Sequence, residues 1–190
     1  MQPEQIVEQF RSGEQDAAVE LIDLFYQKIY GFLRRLTGNE ADAADLTQRT
    51  FGRVWQALPG FSGRSSVGSW IHSIAYHTYV DWRRTNSRTE LRSPEWWAER
   101  VDLVPRPDDI AAGKDLAATV FALVDRLSPD VRDTVHLHYY QSLTIQETAD
   151  AMNIATSTVK YRLRQALEEL EKKLNSDRII SAVPTTIKHL

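Results

Sequence analysis

Cysteine is absent from the 190 residues, which removes disulfides, thiolate metal sites and a cysteine nucleophile, and fits a reducing compartment. No stretch approaches the roughly 18 apolar residues that a membrane span needs. The opening, MQPEQIVEQF, lacks the basic start and apolar run of a signal peptide. The expected location is therefore the cytoplasm. Strong charge is missing too: the net charge is -3, so no uniform basic coat attracts nucleic acid, and any grip on phosphate has to come from local patches. No internal repeat occurs, and no segment sustains the alternation of a strand. What remains is a chain with an ordinary hydrophobic content of 42%, long enough for one domain or two small ones with real cores.

Nearly every patterned segment reads as helix. From Ala18 to Leu36, apolar residues at Leu21, Phe25, Ile29, Phe32 and Leu36 recur at helical spacing, and TGN ends the run. Asn39 followed by Asp42 marks the next start, whose buried stripe is expected at Phe51, Val54, Trp55 and Leu58 before Pro59 and Gly60 stop it. PGFSGRSSVGS then reads as a loop. A third helix begins near Ser69, carries Ile71, Ile74, Ala75, Thr78 and Trp82 on one face, and ends in RRTNSR.

Periodicity lapses from Thr89 to Gly113, where Pro94, Pro105 and Pro107 interrupt a mixed-charge linker in which Trp96 and Trp97 are candidates for packing. It returns with Leu116, Val120, Leu123 and Leu127. Ser128 and Pro129 suit a cap and first turn for a helix bearing Val131, Val135 and Tyr139. Two further helices start at Thr144 and near Thr156, and NSDRIISAVPTTIKHL reads as a loosely ordered tail. The expected fold is all-α: two small helical domains joined by an extended linker.

The last two helices carry the clearest chemistry. Thr144 and Glu147 have capping-box spacing. Ile145, Thr148, Ala149 and Met152 form an inner face, and Asn153 sits where a left-handed residue must end the helix. Only NIA separates the pair, the short connection of a helix-turn-helix. Thr156 or Ser157 is expected to cap the second helix, with Val159, Leu163, Ala166, Leu170 and Leu174 inward. Ser157, Thr158, Lys160, Tyr161, Arg164 and Gln165 then point outward. Such a face suits DNA: arginine pairs with guanine, glutamine with adenine, and hydroxyls with bases or phosphates. The competing reading is a solvated, mildly basic helix face.

Two more surfaces stand out. His72, Tyr76, Tyr79 and Arg83 recur along one side of the third helix, beside Ser73, His77 and Arg84, and Asp81 is the sole acid from Phe61 through Arg88. Aromatic rings beside guanidinium groups suit unpaired bases; alternatively Tyr76 and Tyr79 are core and the arginines cap the helix. On the second helix Asp42, Asp45, Gln48 and Arg49 lie outside the hydrophobic stripe, as a docking face or a wet one.

EADAADLTQRTFGRVWQAL, FSGRSSVGSWIHSIAYHTYVDWRR and LSPDVRDTVHLHYYQSLTIQETADAMNIATSTVKYRLRQALEELEKKL, in that order, resemble the extracytoplasmic-function (ECF, group 4) sigma factors of bacterial RNA polymerase, in the sigma-70 family. The likeness runs from about Ala18 to Leu174. It implies a dissociable specificity subunit that is not an enzyme, with no cofactor, catalytic residue or metal. Residues 1–88 would form sigma region 2, 89–113 the linker, 114–175 sigma region 4 and 176–190 the tail. The resemblance implies core-polymerase binding, to the beta and beta-prime subunits, by Asp42, Asp45, Leu46, Gln48, Arg49, Phe51 and Trp55. Single-stranded minus 10 DNA would meet Phe61, Ser62, Arg64, Trp70, His72, Ser73, Tyr76, His77, Tyr79, Arg83 and Arg84. Duplex minus 35 DNA would meet Thr156, Ser157, Thr158, Lys160, Tyr161, Arg164 and Gln165. An anti-sigma factor is an implied partner.

Departures from the family pattern are Asn153 for a frequent glycine, Gln165 for a frequent arginine, and the large Tyr161, so promoter preference does not carry over. Two other classes compete. A stand-alone helix-turn-helix regulator would dimerise over paired half-sites, but no dimerisation helix is evident. An enzyme would need His136 with His138, or Asp42 with Asp45, to converge as ligands or as acid and base, and neither pair does so on a helix without help.

Overall fold

The computed structural model describes residues 2–14, 16–90 and 115–176, and the regular elements among them are all helical. Helices α1 (Pro3–Arg11), α2 (Asp16–Thr37), α3 (Glu40–Ala57) and α4 (Val67–Glu90) come first. They are followed by α5 (Asp115–Asp125), α6 (Pro129–Val135), a π turn (His136–Tyr140), α7 (Ile145–Met152) and α8 (Thr156–Ser176). Two compact units result: Met1–Arg92 with His136–Val159, and Ser93–Val135 with Lys160–Leu190. Residues 91–113 of the expected linker, with Trp96 and Trp97, lie outside the described residues, as do residue 114 and the tail beyond Ser176.

In the first unit the stripe expected on α2 is the heart of the core: Leu21, Phe25, Ile29, Phe32 and Leu36 are all buried, and Leu33 joins them. Full burial of each such side chain contributes roughly 1.5–3 kcal/mol. Ile6 and Val7 of α1, Ala43, Leu46 and Val54 of α3, and Val67, Ile71 and Ala75 of α4 share that cluster. So do Leu137, Leu143, Ala151 and Met152, far along the chain. Buried threonines satisfy themselves by donating to carbonyls one turn back: Thr37 to Leu33 at 2.9 Å, Thr47 to Ala43 at 2.7 Å and Thr50 to Leu46 at 2.7 Å.

Local signals place the helix ends well. Gly38, at φ 70, takes the left-handed conformation that breaks α2. Asn39 caps α3, its side-chain oxygen accepting from the amides of Ala41 at 2.8 Å and Asp42 at 3.1 Å. Ser128 precedes Pro129 as expected, its carbonyl accepting from the Arg132 amide at 2.9 Å.

Several expectations need correction. Trp55 is not buried with Phe51 and Val54; it is 44% exposed, because it lies one residue past the stripe, and Phe10 meets its ring edge-on at 5.8 Å. RRTNSR does not end the third helix, which begins earlier, at Val67, and runs through that segment to Glu90. α5 stops at Asp125, leaving Leu127 buried in the turn beyond it. Tyr139 is 55% exposed rather than aligned with Val131 and Val135, because the π turn takes in an extra residue and shifts the helical phase of its side chains. Neither Thr156 nor Ser157 caps α8: Thr156 is its first residue, and the Ala155 carbonyl accepts from the amides of Thr158 at 2.9 Å and Val159 at 3.2 Å. Val159, Leu163 and Ala166 are buried as expected, whereas Leu170 and Leu174 are half-buried.

In the second unit Leu123, Val124, Leu127, Val131 and Val135 are buried, and Leu163 and Ala166 of α8 with them. Arg162 pairs there with Asp130 at 2.7 Å. One of the cations on the opening turns of α8 is therefore structural.

Candidate nucleic-acid and polymerase interfaces

The helix-turn-helix is specified at each joint. Thr144 accepts from the Glu147 amide at 3.1 Å, and Glu147 Oε2 accepts from the Thr144 amide at 2.9 Å, which completes the capping box. Asn153 has φ 53 and ψ 49, the left-handed stop expected of it, and its amide donates to Asp150 at 3.2 Å. The Ile154 amide donates to Ala149 at 3.0 Å, and its side chain packs on the core. From that turn, α8 exposes Ser157, Lys160, Tyr161 and Arg164, with Thr156, Thr158 and Gln165 half-buried. Tyr161 is 65% exposed. Gln165 donates to Glu169 at 3.0 Å, which ties its amide to an acid further along the helix.

The minus 10 candidates divide. Ser62, Arg64, His77 and Arg84 are exposed, and Trp70, Ser73 and Arg83 half-buried. Phe61, His72, Tyr76 and Tyr79 are buried, so the expected outward aromatic face of α4 is a correction. α4 is contacted by α2, α3 and α7, and a helix covered on several sides has no broad outer face left for these rings. Phe61 instead seats against Trp70, ring centroids 5.0 Å apart, and the Arg83 guanidinium lies 5.4 Å over the Tyr79 ring. Asp81, the sole acid of this stretch, is engaged by Arg53 at 3.3 Å and Arg84 at 3.4 Å.

The loop before α4 has supports that sequence reasoning missed. Arg11 of α1 donates to the Phe61 carbonyl, and Glu4 accepts from the Val67 amide at 3.4 Å, so α1 holds both ends of the loop. Nothing in local periodicity links residues so far apart.

On the polymerase-binding candidates, Gln48, Arg49 and Trp55 are exposed and Asp42 and Asp45 half-buried, with Asp45 and Arg49 paired at 2.8 Å. Leu46 and Phe51 are buried, Phe51 as expected from its stripe, so these two of the implied docking residues form the floor beneath the surface. Tyr26, another residue the sequence did not single out, stacks on Phe51 at 6.1 Å and is 37% exposed.

The burial of His72 has an acid-base consequence. Burial lowers its pKa from the ordinary 6.5, hydrogen bonds to Gly68 and Gln141 oppose this less strongly, and Lys28 lowers it further. Nδ1 lies 2.8 Å from the Gly68 carbonyl, which can only accept, so Nδ1 carries the proton. Nε2 of the neutral ring is then an acceptor, 3.2 Å from the Gln141 carboxamide. Because the folded pKa is depressed, the unfolded chain binds the proton first as pH falls. Stability is therefore full above about pH 6.5 and declines below it. Urea titrations at pH 7.5 and 5.5 are expected to show a larger loss for the native chain than for His72→Gln; equal losses would place the sensitivity elsewhere.

Among the described residues no group of three His, Cys, Asp or Glu side chains could hold a metal, and no helix is long and apolar enough to cross a membrane.

Two family models match the chain: Sigma-70 region 2 over residues 21–89 and Sigma-70, region 4 over residues 119–170. It is 31% identical over 158 residues to the ECF RNA polymerase sigma factor SigX of Bacillus subtilis, a match covering 81% of each chain. With the ECF RNA polymerase sigma factor SigW of the same organism it shares 26% identity, over 88% of this chain and 94% of that one. The structure of CnrH in complex with the cytosolic domain of CnrY matches with a TM-score of 0.65 at 21% identity, covering 90% of this chain and 96% of CnrH. RpoE in complex with the anti-sigma factor NepR from Bartonella quintana matches at 0.63 with 20% identity, covering 82% and 95%. These structural likenesses establish a common fold.

Proposed function

We infer how this chain works from the family to which it belongs, the ECF sigma factors of RNA polymerase. It is a sigma factor that directs promoter-specific transcription initiation. In our reading core polymerase docks on the exposed face of α3 around Asp45, Gln48, Arg49 and Trp55, over the floor made by Leu46 and Phe51. The 61–66 loop and the accessible part of α4, with Ser62, Arg64, Trp70, Ser73, His77 and Arg84, meet the minus 10 element. α8 reads the minus 35 element through Ser157, Lys160, Tyr161 and Arg164.

The divisions 1–88, 89–113, 114–175 and 176–190 serve as region 2, linker, region 4 and tail. The protein acts in the cytoplasm, catalyses no reaction of its own, and is held in check by an anti-sigma factor, as RpoE is bound by NepR.

The observation that carries this reading is the second helix of a turn-specified helix-turn-helix presenting Ser157, Lys160, Tyr161 and Arg164 to solvent. Reconstitution with core polymerase on genomic promoter fragments is expected to yield specific transcripts that core enzyme alone does not. Arg164→Ala is expected to relax selectivity at one minus 35 base pair by about 1–3 kcal/mol while core affinity stays the same. Tight operator binding by a dimer, with no stimulation of core enzyme, would reject the sigma reading.

A further inference from the structure

None of the polymerase or DNA candidates lies on α1, although this helix meets the 61–66 loop at both of its ends. Ile6 and Val7 are buried and seat α1 on the core. That leaves Glu4, Glu8 and Arg11, exposed side chains whose spacing places them along one side of the helix. Arg11 uses both terminal nitrogens: one pairs with Glu8 at 3.5 Å, and the other donates to the Phe61 carbonyl. A guanidinium steered in this way makes a directed, charge-assisted bond to the backbone. At the far end Glu4 accepts from the amide of Val67 at 3.4 Å. Val67 is the first residue of α4, so its amide has no acceptor within its own helix.

Between those two points the loop is open. The Phe61 ring rests on Trp70 with centroids 5.0 Å apart, and the Ser66 hydroxyl accepts from the Ser69 amide at 3.1 Å. Ser62, Gly63 and Arg64 are exposed; Gly63 has φ 70, and a Cβ added to it would meet nothing within 4 Å. A segment this rich in Gly and Ser has many conformations to lose when a ligand orders it. Each residue whose backbone is fixed only on binding weakens affinity by about tenfold. Holding the ends in the folded chain removes part of that loss beforehand.

Two simpler roles fit the charges poorly. Exposed ion pairs add little to stability, so Arg11 and Glu8 are weak struts for a helix that Ile6 and Val7 already anchor. Two carboxylates beside one guanidinium repel a nucleic-acid strand, so this side of α1 is a poor grip on phosphate. We propose that Arg11 is a positioning residue for the minus 10 loop: steered by Glu8, and matched at the far end by Glu4, it fixes the backbone from Phe61 to Val67 so that Ser62 and Arg64 face an unpaired base in one arrangement. This role rests on the sigma reading of the loop.

Two variants of the full chain, each bound to core polymerase, test it. Arg11→Met keeps the apolar stem and removes the donor, and Glu4→Ala releases the far end. The probes are single-stranded oligonucleotides spanning the minus 10 element of a promoter that the native holoenzyme transcribes, with each position varied through the four bases. Arg11→Met is expected to bind the unvaried oligonucleotide about tenfold more weakly, with the loss concentrated at one base position. Glu4→Ala should bind about threefold more weakly, at that same position. Affinity for core polymerase and for duplex minus 35 DNA is expected to stay native, as is the salt dependence of oligonucleotide binding. Undiminished oligonucleotide affinity in either variant would overturn the positioning role. So would a loss spread evenly over minus 10, minus 35 and core binding, which would make α1 a structural strut. A salt slope smaller by about 0.7 in Arg11→Met would make Arg11 a phosphate contact and overturn the role as well. Native holoenzyme that starts no specific transcripts would instead reject the sigma reading itself, and this role with it.

Discussion

Phe32→Ala is expected to lower the unfolding free energy by about 3–5 kcal/mol, a large share of the roughly 5–15 kcal/mol typical of a domain. Phe32 is completely buried in the C-terminal half of α2, and its ring meets His72 edge-on at 5.7 Å. Truncation leaves a cavity walled by helices that cannot collapse without shifting α4, and it removes the packing that orients the histidine toward Gln141. The urea midpoint should fall with an unchanged slope, since the surface exposed on unfolding is nearly the same. Tyr161→Ala is the control: at 65% exposure its effect on stability should stay within about 0.5 kcal/mol. A Phe32→Ala loss below about 1 kcal/mol would mean that α2 is not the organising element of this core.

Trp55→Ala is expected to act in the opposite sense, sparing the fold and weakening polymerase binding. The ring is 44% exposed and touches Phe10 only edge-on, so its removal opens no enclosed cavity. An exposed tryptophan on the α3 face that also bears Gln48 and Arg49 has the character of an interface hot spot, for which truncation costs about 2 kcal/mol or more. Competition for core polymerase against the native chain should then show a loss of about 30-fold. The urea midpoint should barely move. A destabilised variant with undiminished core affinity would assign Trp55 to the hydrophobic core and move the docking face elsewhere.

Helical signals were legible where they depend on neighbours within a turn. Asn39, Gly38 and Asn153 announce ends because a cap or a left-handed residue acts on amides two to four positions away. The α2 stripe and the outward face of α8 came from a period of 3.6, since one neighbouring layer covers one side of each. That reasoning failed on α4, where the same period placed His72, Tyr76 and Tyr79 on one line but could not say that the line is covered. It failed again at Tyr139, because no composition signal marks the extra residue in the π turn.

The amino-acid sequence by itself determined an all-α fold, several helix ends, the helix-turn-helix and the residues α8 exposes to solvent. All are set by interactions within a few positions, whose energies a residue carries wherever the chain goes. Only tertiary structure decided which aromatic rings remain available, that α1 holds the 61–66 loop through Arg11 and Glu4, and that Glu147 meets Ser69 across 78 positions. Burial and long-range hydrogen bonds belong to pairs of segments. No pattern along one segment encodes what the other segment will cover.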